Sequence, residues 1–120
     1  MTTKEKRSYD LEERTFRFAR EVIYFTIILP KTIPNTEIIK QVVRSAGSVG
    51  ANYIEANEAL SKKDFAMRIK ISRKEAKETI YWLRLFQVDS EEGTKKQLSL
   101  VTEASELMKI FGAILVKTEI

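Results

Sequence analysis

The sequence contains no cysteine and no histidine among its 120 residues, and it has only 4 glycines and 2 prolines. Without thiol and imidazole groups it has no disulfide, no cysteine/histidine zinc site and none of the commonest nucleophiles and general bases. Scarce glycine and proline, with 43% apolar and 32% charged residues, argue against a disordered tail and a short-stranded β sandwich. We therefore expect one helical domain over residues 1–120, with no enzymatic activity, metal or cofactor.

Long apolar runs are also missing. The longest, Val22 to Leu29, covers 8 residues, whereas a membrane-spanning helix needs about 20. The amino end, MTTKEKRSYDLEER, is charged and has no apolar signal core. We expect a cytoplasmic protein with no membrane partner.

Four long amphipathic segments remain between breaks at Pro30 to Pro34, at Ser61 and at Asp89 to Gly93. Apolar residues recur at three- and four-residue spacing in each segment, which is typical of helices. The predicted helices span residues 10–29, 35–60, 62–88 and 94–117. Because the connections are short, the predicted fold is all-α: an antiparallel up-down-up-down four-helix bundle.

Polar pairs mark the predicted helix starts. Three pairs have capping-box spacing: Asp10 and Glu13, Ser61 and Asp64, and Thr94 and Gln97. Ser90 is an alternative start for the fourth helix.

Two helices carry a second apolar face. In the first helix this face consists of Phe16, Ala19, Ile23 and Ile27. In the fourth, the predicted core stripe is Leu98, Val101, Ser105, Met108, Gly112 and Leu115, and the second face is Leu100, Ala104, Leu107, Phe111 and Ile114. Such a face is either part of a wide core stripe or a contact with another subunit in a homo-oligomer.

Small and polar residues are concentrated from Arg44 to Asn52 in the second helix. Each glycine there, Gly47 and Gly50, costs about 1 kcal/mol relative to alanine, so the pattern favours a close approach of another helix. The GxxG spacing also matches an RNA-binding loop, but that loop belongs to a fold with strands.

Polar side chains next to this patch predict a partly buried network that fixes the helix register. We expect Glu55 to pair with an arginine and Asn52 to join two helices. The predicted network consists of Arg44, Ser48, Asn52, Glu55 and Glu75. The alternatives are a carboxylate metal site, which the missing histidine disfavours, and a catalytic acid/base pair of Glu55 and Glu75.

The net charge of +4 is unevenly distributed, because residues 61–88 alone hold 8 basic and 3 acidic residues. Most of these cations recur at three, four and seven residues on the face opposite the apolar stripe, with Tyr81 between them. We call this set the basic stripe: Lys63, Lys70, Arg73, Lys74, Lys77 and Arg84. It is either a solvated face or a surface that binds RNA or DNA backbone without reading its sequence.

Several of these segments together resemble the 23S rRNA intervening sequence proteins. The similarity covers about residues 9–115 and is carried by Val43–Ala56, Phe65, Ile71–Thr79, Tyr81–Leu83 and the opening Asp10–Phe16. Family members commonly have glycine after the Asn-x-x-Glu element, where this chain has Ala56.

The resemblance implies an antiparallel four-helix bundle and, as in some relatives, a pentameric ring. Members of this family are encoded within inserted segments of ribosomal RNA genes or elsewhere in bacterial genomes and have no settled enzymatic activity. A similar basic bundle in diversity-generating retroelements binds a reverse transcriptase and nucleic acid. The expected partners are therefore further copies of the chain, RNA or DNA, and a reverse transcriptase or other protein. The alternative function is a protein-interaction scaffold with no nucleic-acid role.

Overall fold

The computed structural model describes the backbone of residues 3–119 and the side chains of residues 10–118. It contains four α-helices: α1 (Thr3–Ile28), α2 (Ile33–Asn57), α3 (Lys62–Leu85) and α4 (Glu91–Glu119). No strand occurs in residues 3–119. The predicted all-α fold of four helices is confirmed.

Side-chain contacts fix the directions of the helices, because along each pair one residue number rises as the other falls. The contacts are Val49 with Ser72 and Ser45 with Thr79 between α2 and α3, Arg14 with Glu103 and Glu21 with Lys96 between α1 and α4, and Glu12 with Asn57 and Thr15 with Gly50 between α1 and α2. The helices therefore run up-down-up-down. Each packs on two neighbours, and the molecule measures 46 × 25 × 19 Å.

The core lies along the axis of this bundle. Phe25 of α1 meets Phe86 edge-to-face with ring centroids 5.8 Å apart, and Tyr53 of α2 lies 5.9 Å from Phe111 of α4. Burial of such rings supplies the main favourable free energy of folding. The bundle is thus held together by apolar side chains from all four helices.

The second apolar faces of α4 and α1 differ in burial. In α4, Leu100, Leu107 and Phe111 are buried, and Leu98 of the predicted core stripe is exposed. The predicted core stripe was wrong at Leu98 but right at Leu115, which is buried, and Val101 and Met108 pack against the core. The core contact of α4 is centred on the other face, because its larger side chains bury more apolar area than a face containing Ser105 and Gly112.

In α1, the second face stays outside the core. Phe16, Ile23 and Ile27 are exposed, Ile27 to 66%, and Tyr24 and Ile28 beside them are exposed as well. The core residues of α1, such as Val22 and Phe25, point in the opposite direction. We call the exposed set of five the α1 outer face.

The observed helix starts correct two predicted caps. α1 begins at Thr3, so Asp10 lies inside the helix rather than at its end. α4 begins at Glu91 rather than Thr94, which confirms the alternative start at Ser90: its hydroxyl accepts a hydrogen bond from the Gly93 amide at 2.9 Å. Gln97 does not cap that helix, because its amide donates to the carbonyl of Leu83 across the interface with α3.

At α3 the prediction is confirmed, because the Ser61 hydroxyl accepts from the Asp64 amide at 3.0 Å. α2 begins at Ile33, two residues before its predicted start, with Thr32 as its cap and Pro34 in the first turn, where its missing N–H costs nothing. Asn35 is buried and bridges two loops: its amide group donates to the Pro30 and Gln87 carbonyls. The helices α2 and α3 end at Asn57 and Leu85, three residues before their predicted ends.

Candidate nucleic-acid interface

The basic stripe lies on the outer face of α3. All of its members are exposed: Lys63, Lys70, Arg73, Lys74, Lys77 and Arg84. The buried side of the helix, which includes Ile69, Ala76 and Leu83, faces the core and points on average about 110° away from the stripe at 100° per residue. Among the described side chains, none of the six forms an ion pair. The stripe therefore keeps its full positive charge at the surface.

The acidic residues in the middle of α3 are turned away from the stripe, towards α2. Arg44 of α2 lies between them, with 3.3 Å from its Nη1 to Glu75 Oε2 and 2.7 Å from its Nη2 to Glu78 Oε1. Glu78 Oε1 also accepts a hydrogen bond from the Trp82 indole at 3.2 Å. Because both carboxylates are engaged on this side, they do not neutralise the lysines on the other.

Three of the five predicted network residues, Arg44, Asn52 and Glu75, lie at the interface between α2 and α3. Arg44 pairs with Glu75, which is only 6% exposed and whose Oε2 has no hydrogen-bond partner among the described residues. The Asn52 side chain accepts from Arg68 at 3.1 Å and donates to the Ser48 carbonyl at 2.9 Å. The link from Asn52 to the second helix runs through Arg68.

Glu55 corrects the network prediction. Its side chain is exposed and forms no hydrogen bond or ion pair with a described residue, because three residues of helix place it about 60° beyond Asn52, on the solvent side. Ser48 contributes its carbonyl only. The antiparallel register also places Glu55 about ten residues, roughly 15 Å, from Glu75 along the helix, so the two do not form an acid/base pair.

Buried hydroxyl groups between α2 and α3 were not predicted as part of the network. Ser72 donates to the Val49 carbonyl at 2.9 Å, and the Thr79 hydroxyl lies 2.8 Å from the Ser45 hydroxyl. Ser72 and Thr79 continue the three- and four-residue spacing of Ile69, Ala76 and Leu83 in α3. A hydroxyl residue at such a position was the available signal, since a buried polar group needs a partner.

The two glycines of α2 differ in how closely another helix approaches them. A Cβ added at Gly50 would lie 2.9 Å from Thr15 Oγ1 and 3.1 Å from Thr15 Cβ, so α1 approaches closely there. Nothing lies within 4 Å of a Cβ added at Gly47. The packing explanation is therefore right for Gly50 and wrong for Gly47. Both lie within a continuous helix, so GxxG here is not a loop.

Apolar side chains run beside the basic stripe, which the sequence analysis recognised only for Tyr81. Met67, Tyr81 and Leu85 are all exposed. Tyr81 packs edge-to-face on Trp82, with ring centroids 5.1 Å apart, and Trp82 itself is partly buried against the core. Heptad spacing of Met67, Lys74 and Tyr81 was the signal for this arrangement.

Other kinds of site lie elsewhere or are not found in the described residues. A cavity of about 860 Å³ at one end of the bundle is lined by Leu11, Tyr53, Phe65 and Ile114 among others, and by no member of the stripe or network. Within the described part of the chain, no three acidic side chains converge as metal ligands, and no helix is long and apolar enough to span a membrane.

Comparison with known proteins agrees with this architecture. The sequence pattern described as 23S rRNA-intervening sequence protein matches residues 7–113. A crystal structure from Bacteroides thetaiotaomicron, of a protein with unknown function from the S23 ribosomal protein family, superimposes with a TM-score of 0.76. It is 28% identical, and the match covers 90% of this chain and 96% of that chain. Among curated proteins, none matches.

Proposed function

This chain belongs to the 23S rRNA-intervening sequence protein family, and we propose that it is a non-enzymatic, cytoplasmic protein that binds the phosphate backbone of RNA or DNA. Binding would be electrostatic and tolerant of sequence, because the stripe offers cations and no element that reads base edges.

One observation carries this proposal. The six cations of the basic stripe are exposed along one helix, and no described carboxylate pairs with them. Lys63 and Arg84 are 21 residues apart, which corresponds to about 31 Å along the helix axis. A row of unpaired cations of this length favours a polyanion, whereas surface charges that serve solubility alone are usually interspersed with acids.

The test is charge reversal in the middle of the stripe. With Lys70, Lys74 and Lys77 all replaced by Glu, we expect affinity for a mixed RNA pool at about 50 mM salt to fall at least tenfold, with the helical circular dichroism unchanged. If all six cations contact phosphates of a single strand, the slope of log K against log salt should be about −4 in the native chain and about −2 in the variant.

A matched control places the same charge change elsewhere. Lys40, Lys95 and Lys109 are exposed on α2 and α4, and their replacement by Glu alters the net charge equally. The control should keep most of the affinity. Equal losses in both variants would mean that only the total charge matters, and absence of binding by the native chain would reject the proposal.

A second proposal concerns the α1 outer face, which we propose is an interface between copies of the chain. Phe16, Ile23 and Ile27 lie in one exposed row on α1, and contiguous apolar surface of this kind is uncommon on monomers. A homo-oligomer would also present the basic stripe in several copies, which strengthens electrostatic binding. A scaffold for another protein is the competing use of the same face.

Sedimentation equilibrium distinguishes these uses. The native chain should sediment above its monomer mass of 13.9 kDa at micromolar concentration, and replacing Ile23 and Ile27 by Asp should return it to that mass. If the native chain itself sediments at the monomer mass, self-association is rejected, and the scaffold function remains as the explanation of this face.

A further inference from the structure

We infer that the nucleic acid bound by α3 is single-stranded, and that unpaired bases pack on apolar side chains beside the basic stripe. This inference rests on the proposed function and makes its substrate class specific. It comes from the way in which cationic and apolar residues share the outer face of α3.

The outer face of α3 carries cationic and apolar side chains together, because Lys63, Lys70 and Lys74 point within about 20° of the direction of Tyr81. At 100° per residue, Met67 and Leu85 point about 40° from the direction of Tyr81, on the side of Glu78 and therefore of α2. Lys77 and Arg84 point about 40° and 60° to the other side. Cationic and apolar side chains therefore share one face along the helix, so one extended ligand would touch both.

The ring of Tyr81 is the main apolar platform. It is 59% exposed and packs edge-to-face on Trp82, with an interplanar angle of 77°. Trp82 is fixed in turn, because its indole donates to Glu78 and its ring packs against the core. Because Trp82 already restricts the Tyr81 ring, the ring loses little conformational freedom when a base stacks on it. The entropic cost of binding is therefore smaller.

An unpaired strand matches this surface better than a duplex. A duplex presents its phosphates outside and keeps its base faces stacked internally, so it would contact the cations and gain nothing from Met67, Tyr81 and Leu85. A single strand presents phosphates and base faces together, and basic grooves with aromatic platforms are how proteins bind such strands without reading sequence.

The experiment compares an oligo-uridine strand with the duplex of the same length that it forms with oligo-adenine. We expect the native chain to bind the single strand more tightly. Tyr81→Ser should weaken single-strand binding about five- to tenfold, the lower range for loss of one stacking contact, and leave duplex binding unchanged. Tyr81→Phe keeps the ring and should bind as the native chain does.

Ile54→Ser is the control, because Ile54 is 50% exposed on α2, outside both the basic stripe and the α1 outer face. It should bind both nucleic acids as the native chain does. If the duplex binds as tightly as the single strand, or if Tyr81→Ser and Ile54→Ser behave alike, the inference is wrong while the proposed function stands. If the native chain binds neither nucleic acid, both are wrong.

Discussion

The α2–α3 interface and the α1–α4 interface connect helices in different ways. Between α2 and α3 the contacting side chains are mostly small and are buried. Ser72, Ala76 and Thr79 are 0% exposed, and Glu75 is 6% exposed. Between α1 and α4 the polar contacts lie at the surface. Arg14 pairs with Glu103 at 2.8 Å and Glu21 with Lys96 at 2.5 Å, above a groove of about 740 Å³.

Electrostatics reflect the same difference. At the α1–α4 interface the pKa of Arg14 is raised by its hydrogen bond to Glu103, and the pKa of Glu21 is lowered by its hydrogen bond to Lys96. Water screens both pairs, so each contributes little stability. At the α2–α3 interface, by contrast, Glu75 is a buried carboxylate that depends on Arg44, and loss of its partner is costly.

The outer faces of α3 and α1 also differ. α3 adds buried polar contacts with α2 to its apolar core contacts, and its outer face carries unpaired cations. α1 depends on bulky core side chains such as Phe25, and its outer face remains apolar. Changes at either interface should therefore have unequal effects.

The largest effect should come from the core side of α1. Phe25→Ala removes a buried ring that contacts Phe86 and should lower the free energy of unfolding by about 3–5 kcal/mol, measured by urea denaturation. Phe16→Ala, on the outer face of the same helix, should change it by less than about 0.5 kcal/mol in the monomer. Similar losses for both would mean that the α1 outer face is buried in solution.

A smaller loss is expected at the α2–α3 interface. Arg44→Met leaves Glu75 buried without its cation, and because Arg44 is itself half-exposed we expect a loss of about 1–2 kcal/mol rather than the full cost of a buried pair. Glu55→Ala should leave the thermal midpoint unchanged. A clear drop in melting temperature for Glu55→Ala would contradict the network as described.

The two glycines of α2 test how closely α1 approaches. Gly47→Ala should raise the free energy of unfolding by about 0.5–1 kcal/mol, because the new methyl group meets nothing. Gly50→Ala should lower it by about 1 kcal/mol, since the methyl group would press on Thr15, whose hydroxyl is bonded to the Leu11 carbonyl. Chemical denaturation of both variants should give opposite signs; a gain at Gly50 would show that α1 yields easily.

The smallest effect concerns the surface pair at the α1–α4 interface. Lys96→Met should raise the pKa of Glu21 towards its ordinary value, measured by a carboxyl NMR titration. Because the folded-state pKa is lowered, the pair stabilises the native chain above the ordinary carboxyl pKa, and this contribution is lost as pH falls through the folded-state pKa. Lys95→Met, which removes the exposed ion pair with Glu91, should leave the pKa of Glu21 unchanged.

The sequence predicted the helices well where one side of each segment was distinctly apolar. It identified the basic stripe for the same reason: residues such as Lys70 and Lys77 are separated by a whole number of turns and must share a face. It failed at Asp10, which is a good capping residue but lies within a longer helix, and at α4, where two apolar faces competed and only packing chose between them.

The sequence by itself determined that four amphipathic helices form and that cations cover the outside of the third, because helical periodicity assigns each side chain a direction. Only the tertiary structure decided which residues are partners. Arg44 reaches Glu75 and Glu78 while Glu55 meets nothing, and Gly50 touches Thr15 while Gly47 faces solvent. These outcomes depend on the register and separation of helices, which arise from the packing of all four together and are not contained in the periodicity of any one.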